Sequence, residues 1–111
     1  MNEKNVVSGL RLAILKALAD PVRLEIIEFL KSGEKCVCEI APVIGKAQST
    51  VSKHLDILYH AGILDRRIDG RRTLYRIKDE QIFKLLEALD KFIANQLASV
   101  AKAFETLKGT E

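Results

Sequence analysis

The chain has 111 residues, 48% of them apolar and 5% aromatic, which suits one domain built largely from aliphatic side chains. It lacks any run of about 18 apolar residues, and Met1-Asn2-Glu3-Lys4-Asn5 does not open a secretory leader, so a membrane protein is excluded and a cytoplasmic one expected. The formal net charge of +3 understates a local excess: Lys46, Lys53, Arg66, Arg67, Arg71, Arg72 and Arg76 face only Asp56, Asp65 and Asp69 within one stretch, the footprint of a phosphate-binding surface.

Val6, Val7, Leu10, Ile14, Ala17 and Leu18 recur at helical spacing and predict a first helix over 6–19. Asp20-Pro21 restarts the chain, since Asp caps a helix and Pro is tolerated at its first position. Leu24, Ile26, Ile27 and Leu30 continue as a second helix that Ser32-Gly33 ends.

A short third helix is expected from near Cys38, with Ile40, Ala41, Val43 and Ile44 inward, Gly45 closing it and Pro42 confined to its first turn. The fourth runs from Gln48 to Ala61-Gly62 on a buried stripe of Val51, Leu55, Leu58 and Tyr59. Ser49, Ser52, Lys53 and Asp56 then face outward. Residues 38–62 thus form a helix-turn-helix whose second helix offers its N-terminal residues to a DNA major groove. Gln48, Ser49, Thr50, Ser52 and His54 suit base edges, and Lys53 suits a phosphate. Helix packing is the alternative role of His54, and His60 reads as ordinary surface. Ala47 occupies the N-cap and offers no side-chain acceptor, so the helix start shifts or Ser49 caps instead.

From Ile63 to Ile77 the period changes to that of strands. Asp69-Gly70 between two β-favouring runs predicts a hairpin, with Arg67, Arg71 and Arg72 crowding its tip as a wing against phosphates or the minor groove. Ile82, Leu85, Leu86, Leu89, Phe92, Ile93, Leu97, Val100, Phe104 and Leu107 then predict one long helix over 79–107. So long a stripe exceeds what a small domain buries alone, so this helix and the first are expected to pair with a symmetry mate. A two-fold dimer spaces its recognition helices about one DNA turn apart and predicts a palindromic operator. The expected fold is mostly α with a small β-hairpin wing: one winged helix-turn-helix domain over 1–111.

Cys36 and Cys38 are one residue apart. An extended segment would hold their Cα atoms about 6.6 Å apart, near the limit for a bridge, so reduced thiols are expected. The helix start and Lys35 favour the thiolate at Cys38, and thiolates select soft ions.

Four stretches, in order, resemble the ArsR/SmtB family of winged-helix repressors over nearly the whole chain. They are Ala17-Leu18-Ala19-Asp20-Pro21-Val22-Arg23-Leu24-Glu25-Ile26-Ile27, Cys36-Val37-Cys38-Glu39-Ile40-Ala41, Gln48-Ser49-Thr50-Val51-Ser52-Lys53-His54-Leu55 and Leu58-Tyr59-His60-Ala61-Gly62-Ile63-Leu64. The resemblance implies a homodimeric repressor that leaves DNA when an inducer, commonly a metal or metalloid, binds. It implies Cys36 and Cys38 as ligands for a soft ion such as trivalent arsenic, with Ala41 standing where the arsenic branch often adds a third cysteine. No organic cofactor is expected. The family's zinc site on the last helix is not expected, because Gln81 replaces its histidine and no histidine follows His60. Rival readings are a thiol-oxidation switch, a pair of small residues filling a turn, or an architectural DNA protein with no effector. An enzyme is not expected, since Cys-x-Cys lacks the thioredoxin spacing and no nucleophile-base pair or phosphate loop accompanies it.

Overall fold

A computed structural model describes residues 2–109, in two compact units divided between Asp79 and Glu80. The first unit contains helices α1 (Glu3–Leu18), α2 (Pro21–Phe29), α3 (Val37–Ile44) and α4 (Gln48–His60), with strands β1 (Lys35–Cys36), β2 (Leu64–Asp69) and β3 (Arg72–Ile77). The second is a single helix, α5 (Gln81–Lys108). The fold is that of a mostly helical winged helix-turn-helix, as the sequence pattern predicts.

Helix α1 starts three residues earlier than the apolar pattern suggests, because the Asn2 side chain accepts from the Asn5 amide at 3.0 Å and caps it. Asp20 caps α2 through the amides of Val22 (2.8 Å) and Arg23 (3.2 Å), with Pro21 at the first helical position. A single 3-10 turn, Leu30–Ser32, ends this segment.

Pro42 corrects the expectation for α3. The helix begins at Val37, so Pro42 lies in the second turn. The missing N–H forfeits one backbone bond, a small loss in a helix that ends two residues later at Ile44, with Gly45 capping it in the left-handed conformation, φ 76°. Glu39 secures the start, its carboxylate accepting from the Cys36 amide at 3.0 Å. Val43 is exposed rather than inward, leaving Ile40 and Ala41 as the buried face.

Sequence periodicity missed β1, only two residues long. It adds to the hairpin as the third strand, order β1-β3-β2, with Lys35 opposite Tyr75 and Cys36 opposite Leu74, antiparallel. In the hairpin Asp69 pairs with Arg72, so the two turn residues are Gly70 and Arg71, one position beyond the expected Asp69-Gly70. Gly70 has φ 63° and among the described residues no non-glycine has positive φ, the sign pattern of a type II′ turn. The core of this unit joins Ile26, Ile27, Ile40, Leu55, Leu58 and Leu64, all essentially inaccessible. Tyr59 is only partly covered, stacked under the Arg66 guanidinium at 3.9 Å.

Helix α5 has 28 residues, about 42 Å of length at the usual rise. It has no buried residue, and Leu89, Phe92, Leu97, Val100 and Phe104 are each more than half exposed. Helix α1 likewise exposes Val7, Leu10, Leu12 and Leu15. Among the described residues no helix is long and apolar enough to cross a membrane.

Candidate nucleic-acid interface

Helix α4 begins at Gln48 with Ala47 as its N-cap and no side-chain cap bond, so neither the shifted start nor capping by Ser49 is realised. Gln48, Ser49 and Thr50 occupy the first turn and are exposed. Val51, Leu55 and Leu58 hold the opposite face in the core, which presents Ser49, Ser52, Lys53 and Asp56 along the outer face, Ser52 half-buried. The helix therefore offers a polar edge with short side chains, as close approach to base edges requires.

His54 does not join this edge. Its Nδ1 lies 3.2 Å from Arg23 Nη1 and 3.9 Å from Asp20 Oδ1, at the junction of α1, α2 and α4. Arg23 also donates from Nε to the Ala17 carbonyl at 2.6 Å and from Nη2 to the Lys16 carbonyl at 3.2 Å, closing the end of α1. Of the two roles expected of His54, base contact or helix packing, this placement accords with packing, because its position turns it from the outer face toward α2. Partial burial opposes ionisation of Asp20, but the Arg23 and Val22 amides and the charges of Arg23 and His54 outweigh it, holding the carboxyl below its ordinary value.

The wing carries its cations in two states. Arg67 is clamped by Glu34 through two bonds, Nε to Oε2 at 3.0 Å and Nη2 to Oε1 at 2.8 Å. Arg72 pairs with Asp69 at 3.2 Å, Arg76 with Asp65 at 3.1 Å and Arg66 with Asp56 at 2.8 Å. Among the described residues Arg71, Lys46 and Lys53 have no ion pair and are exposed. Arg67 is the main cause of a Glu34 carboxyl held below its ordinary value. Sequence reasoning misses Glu34 as part of the site: the strand register that brings it to Arg67 is a tertiary fact. All these pairs lie at the surface, where water and salt screen them and a phosphate can replace the carboxylate.

Cys36 and Cys38 overturn the expectation of free thiols. Their sulfurs are bonded, with Cα atoms 5.1 Å apart. Cys36 is extended, φ −82° and ψ 159°, whereas Val37 already begins α3, and this bend shortens the span below that of a straight strand. Cys36 is 1% exposed, while Cys38 is exposed at the helix start. Lys35 is turned away, its Nζ 5.7 Å from the Phe29 ring. The pair lines an open cleft of about 240 Å³ together with Gln48 and Ser52 of α4 and Arg71, Arg72 and Thr73 of the wing. The cysteine pair, α4 and the wing therefore line one cleft. No group of three or more metal-binding side chains exists among the described residues, so a soft ion held by the reduced pair would take further ligands from solvent or small molecules.

A helix-turn-helix with an outward polar helix and an arginine-rich wing defines a DNA-binding regulator. Residues 20–66 match the model of the bacterial regulatory protein arsR family. The chain is 39% identical to an uncharacterised helix-turn-helix transcriptional regulator of Methanocaldococcus jannaschii over 79 residues, 70% of this chain and 89% of the relative. It is 39% identical to the arsenical resistance operon repressor of Bacillus subtilis over 72 residues, 64% of this chain and 69% of the relative. Its fold matches the homodimeric winged helix-turn-helix DNA-binding domain of a possible ArsR-family regulator from Mycobacterium bovis, with a TM-score of 0.75 and 32% identity, covering 88% of this chain and 90% of that one. The chain belongs to the ArsR/SmtB family of winged-helix transcriptional regulators, whose relatives are regulators of transcription and not enzymes.

Proposed function

We propose that this chain is a cytoplasmic homodimeric repressor that binds a palindromic operator and releases it when a soft metalloid, such as trivalent arsenic, engages Cys36 and Cys38. Gln48, Ser49, Thr50 and Ser52 read base edges in the major groove, while Lys53, Arg71, Arg72 and, once released from Glu34, Arg67 hold phosphates. The exposed apolar faces of α1 and α5 form the dimer contact, a reading supported by the homodimeric state of the Mycobacterium bovis relative.

The observation that carries the sensing role is the shared cleft, where the cysteines adjoin Gln48, Ser52, Arg71 and Arg72. In the reduced pair, two thiols displace two hydroxyls of arsenous acid as water, leaving arsenic bound to both sulfurs and one oxygen. This bulk, placed between α4 and the wing, disfavours the geometry that fits DNA. A coupling of about 1–3 kcal/mol suffices to change affinity usefully.

The test is fluorescence anisotropy on DNA from the gene's upstream region, titrating arsenite, cadmium and zinc with a reductant present. Arsenite or cadmium is expected to release the wild type and not the variant carrying Cys36→Ser with Cys38→Ser. Release of neither protein by any ion removes the metalloid role and leaves the DNA-binding reading standing.

The bonded sulfurs favour a second reading, in which oxidation of the pair itself controls DNA affinity. Under it, DNA affinity differs between reduced and oxidised wild type and is insensitive to reductant in the double serine variant.

A further inference from the structure

The cleft beside the cysteines has a charge and shape that neither sensing reading uses. Its lining brings Cys38, an exposed residue, together with Arg71 and Arg72 of the wing and the hydroxyls of Ser52 and Thr73. Arg71 has no carboxylate partner among the described residues, and the bond from Arg72 to Asp69 is an exposed one of 3.2 Å. Among the described residues no carboxylate lines the cleft. Its volume of about 240 Å³ admits a molecule of a few heavy atoms but no peptide segment of any length.

We infer that this cleft docks a small anionic thiol, which exchanges with the Cys36–Cys38 disulfide while its acid group lies against Arg71 and Arg72. The inference rests on the redox reading above and names its reaction partner. The thiolate attacks the Cys38 sulfur, since this one faces solvent and Cys36 does not. A sulfur–sulfur bond forms between the small thiol and Cys38. The Cys36–Cys38 bond breaks, and its electron pair leaves on Cys36 as a thiolate that then takes a proton. A second small thiolate attacks the sulfur of the first, releasing the small disulfide and Cys38 as a thiolate. Two small thiols are oxidised and one protein disulfide is reduced; the reverse sequence oxidises the pair. While the mixed disulfide persists, its anion occupies the arginines that would otherwise hold DNA phosphate.

Guanidinium pairs raise the local concentration of an anion without changing the intrinsic nucleophilicity of its sulfur, so the advantage belongs to the reagent's charge and falls with salt. The experiment starts from protein oxidised at Cys36–Cys38 and follows thiol release by mass spectrometry, without DNA. The probes are 2-mercaptoethanesulfonate, anionic, and 2-mercaptoethanol, neutral, with rates expressed per thiolate so that differences in thiolate fraction cancel. At low salt the sulfonate is expected to react about five- to tenfold faster, as screened attraction to two nearby cations implies. In Arg71→Gln with Arg72→Gln this ratio should fall to about one. An equal ratio in wild type and variant, or a ratio in the wild type that salt does not alter, overturns the docking site. Either result leaves the DNA-release experiments and their conclusion untouched, because no DNA or metalloid enters this assay.

Discussion

The Arg23 guanidinium meets the His54 imidazole at 3.2 Å, Nη1 to Nδ1, and so ties the recognition helix to the corner between α1 and α2. The same guanidinium donates to the carbonyls of Lys16 and Ala17. Its removal takes the side-chain donor from the Ala17 carbonyl and the partner from a half-buried imidazole, while the Lys16 carbonyl keeps the Ala19 amide at 3.3 Å. Arg23→Ala is expected to destabilise the fold by about 1–3 kcal/mol, the usual range for bonds to a charged donor. Urea denaturation checks this; an unchanged midpoint would show that water replaces the guanidinium at no cost.

Asp20 beside this corner gives a pH dependence of known sign. Its carboxyl is held below the ordinary value of 3.8, so its contribution to stability is complete above that value and is lost as pH falls through the lower folded one. Asp20→Asn keeps a side-chain acceptor for the Val22 and Arg23 amides but cannot titrate. The variant should therefore lose less stability than wild type between neutral and strongly acid pH, measured by urea midpoints across that range. Parallel curves for the two proteins would count against the assignment.

Under the proposed function Glu34 competes with DNA for Arg67. Glu34→Gln abolishes the charged half of the clamp and should tighten operator binding, with the slope of log affinity against log salt steeper by up to about 0.9 if the freed guanidinium takes one phosphate. If neither affinity nor slope moves, Arg67 does not reach DNA.

Arg71 and Arg72 predict the opposite change. Replacing both by Ala should weaken binding to operator and to unrelated DNA alike, and reduce the salt slope by up to about 1.8, or about 0.9 for each phosphate no longer neutralised. Weakening confined to the operator sequence would instead assign the wing a role in reading bases.

Ala47 leaves the first turn of α4 without a side-chain acceptor. Ala47→Ser supplies one and should stabilise the protein by about 1 kcal/mol, visible as a higher melting temperature. No gain would mean that the serine rotamer needed for capping is not adopted.

Leu97 and Phe104 are 64% and 59% exposed on α5. With Leu97→Glu and Phe104→Glu the charge introduced at an apolar seam should convert a dimer to a monomer in sedimentation at micromolar concentration. A wild type that already sediments as a monomer would remove the dimer from the proposal.

Helix positions, the wing and the polar edge of α4 are legible in the chain because they depend on local rules. Apolar residues at spacings of three and four mark a helix, Asp20-Pro21 marks its start, and a glycine between β-favouring runs marks a hairpin. The family resemblance adds the proposed roles of Gln48 to Lys53 and of the cysteines, which spacing by itself does not assign.

The charge pattern along the chain is a poorer guide. Seven cations between Lys46 and Arg76 suggest one open basic surface, yet Arg66, Arg67, Arg72 and Arg76 each find a carboxylate. The partner of Arg67 lies 33 residues away, beyond any local pattern. His54 also matches the polar recognition helix by type, and only the packing of α4 on α2 turns it toward Arg23.

The sequence by itself determined the winged helix-turn-helix and the candidates for DNA contact, since periodicity, caps and turn chemistry act between near neighbours. The tertiary structure alone decided which of those residues remain available and what lies beside the cysteines. Pairing of Cys36 with Leu74 carries the Cys-x-Cys turn to the wing strand, and the packing of α3 and α4 closes the cleft around it. Contacts of this kind follow from how buried faces fit together, and that fit is a property of the folded chain as a whole.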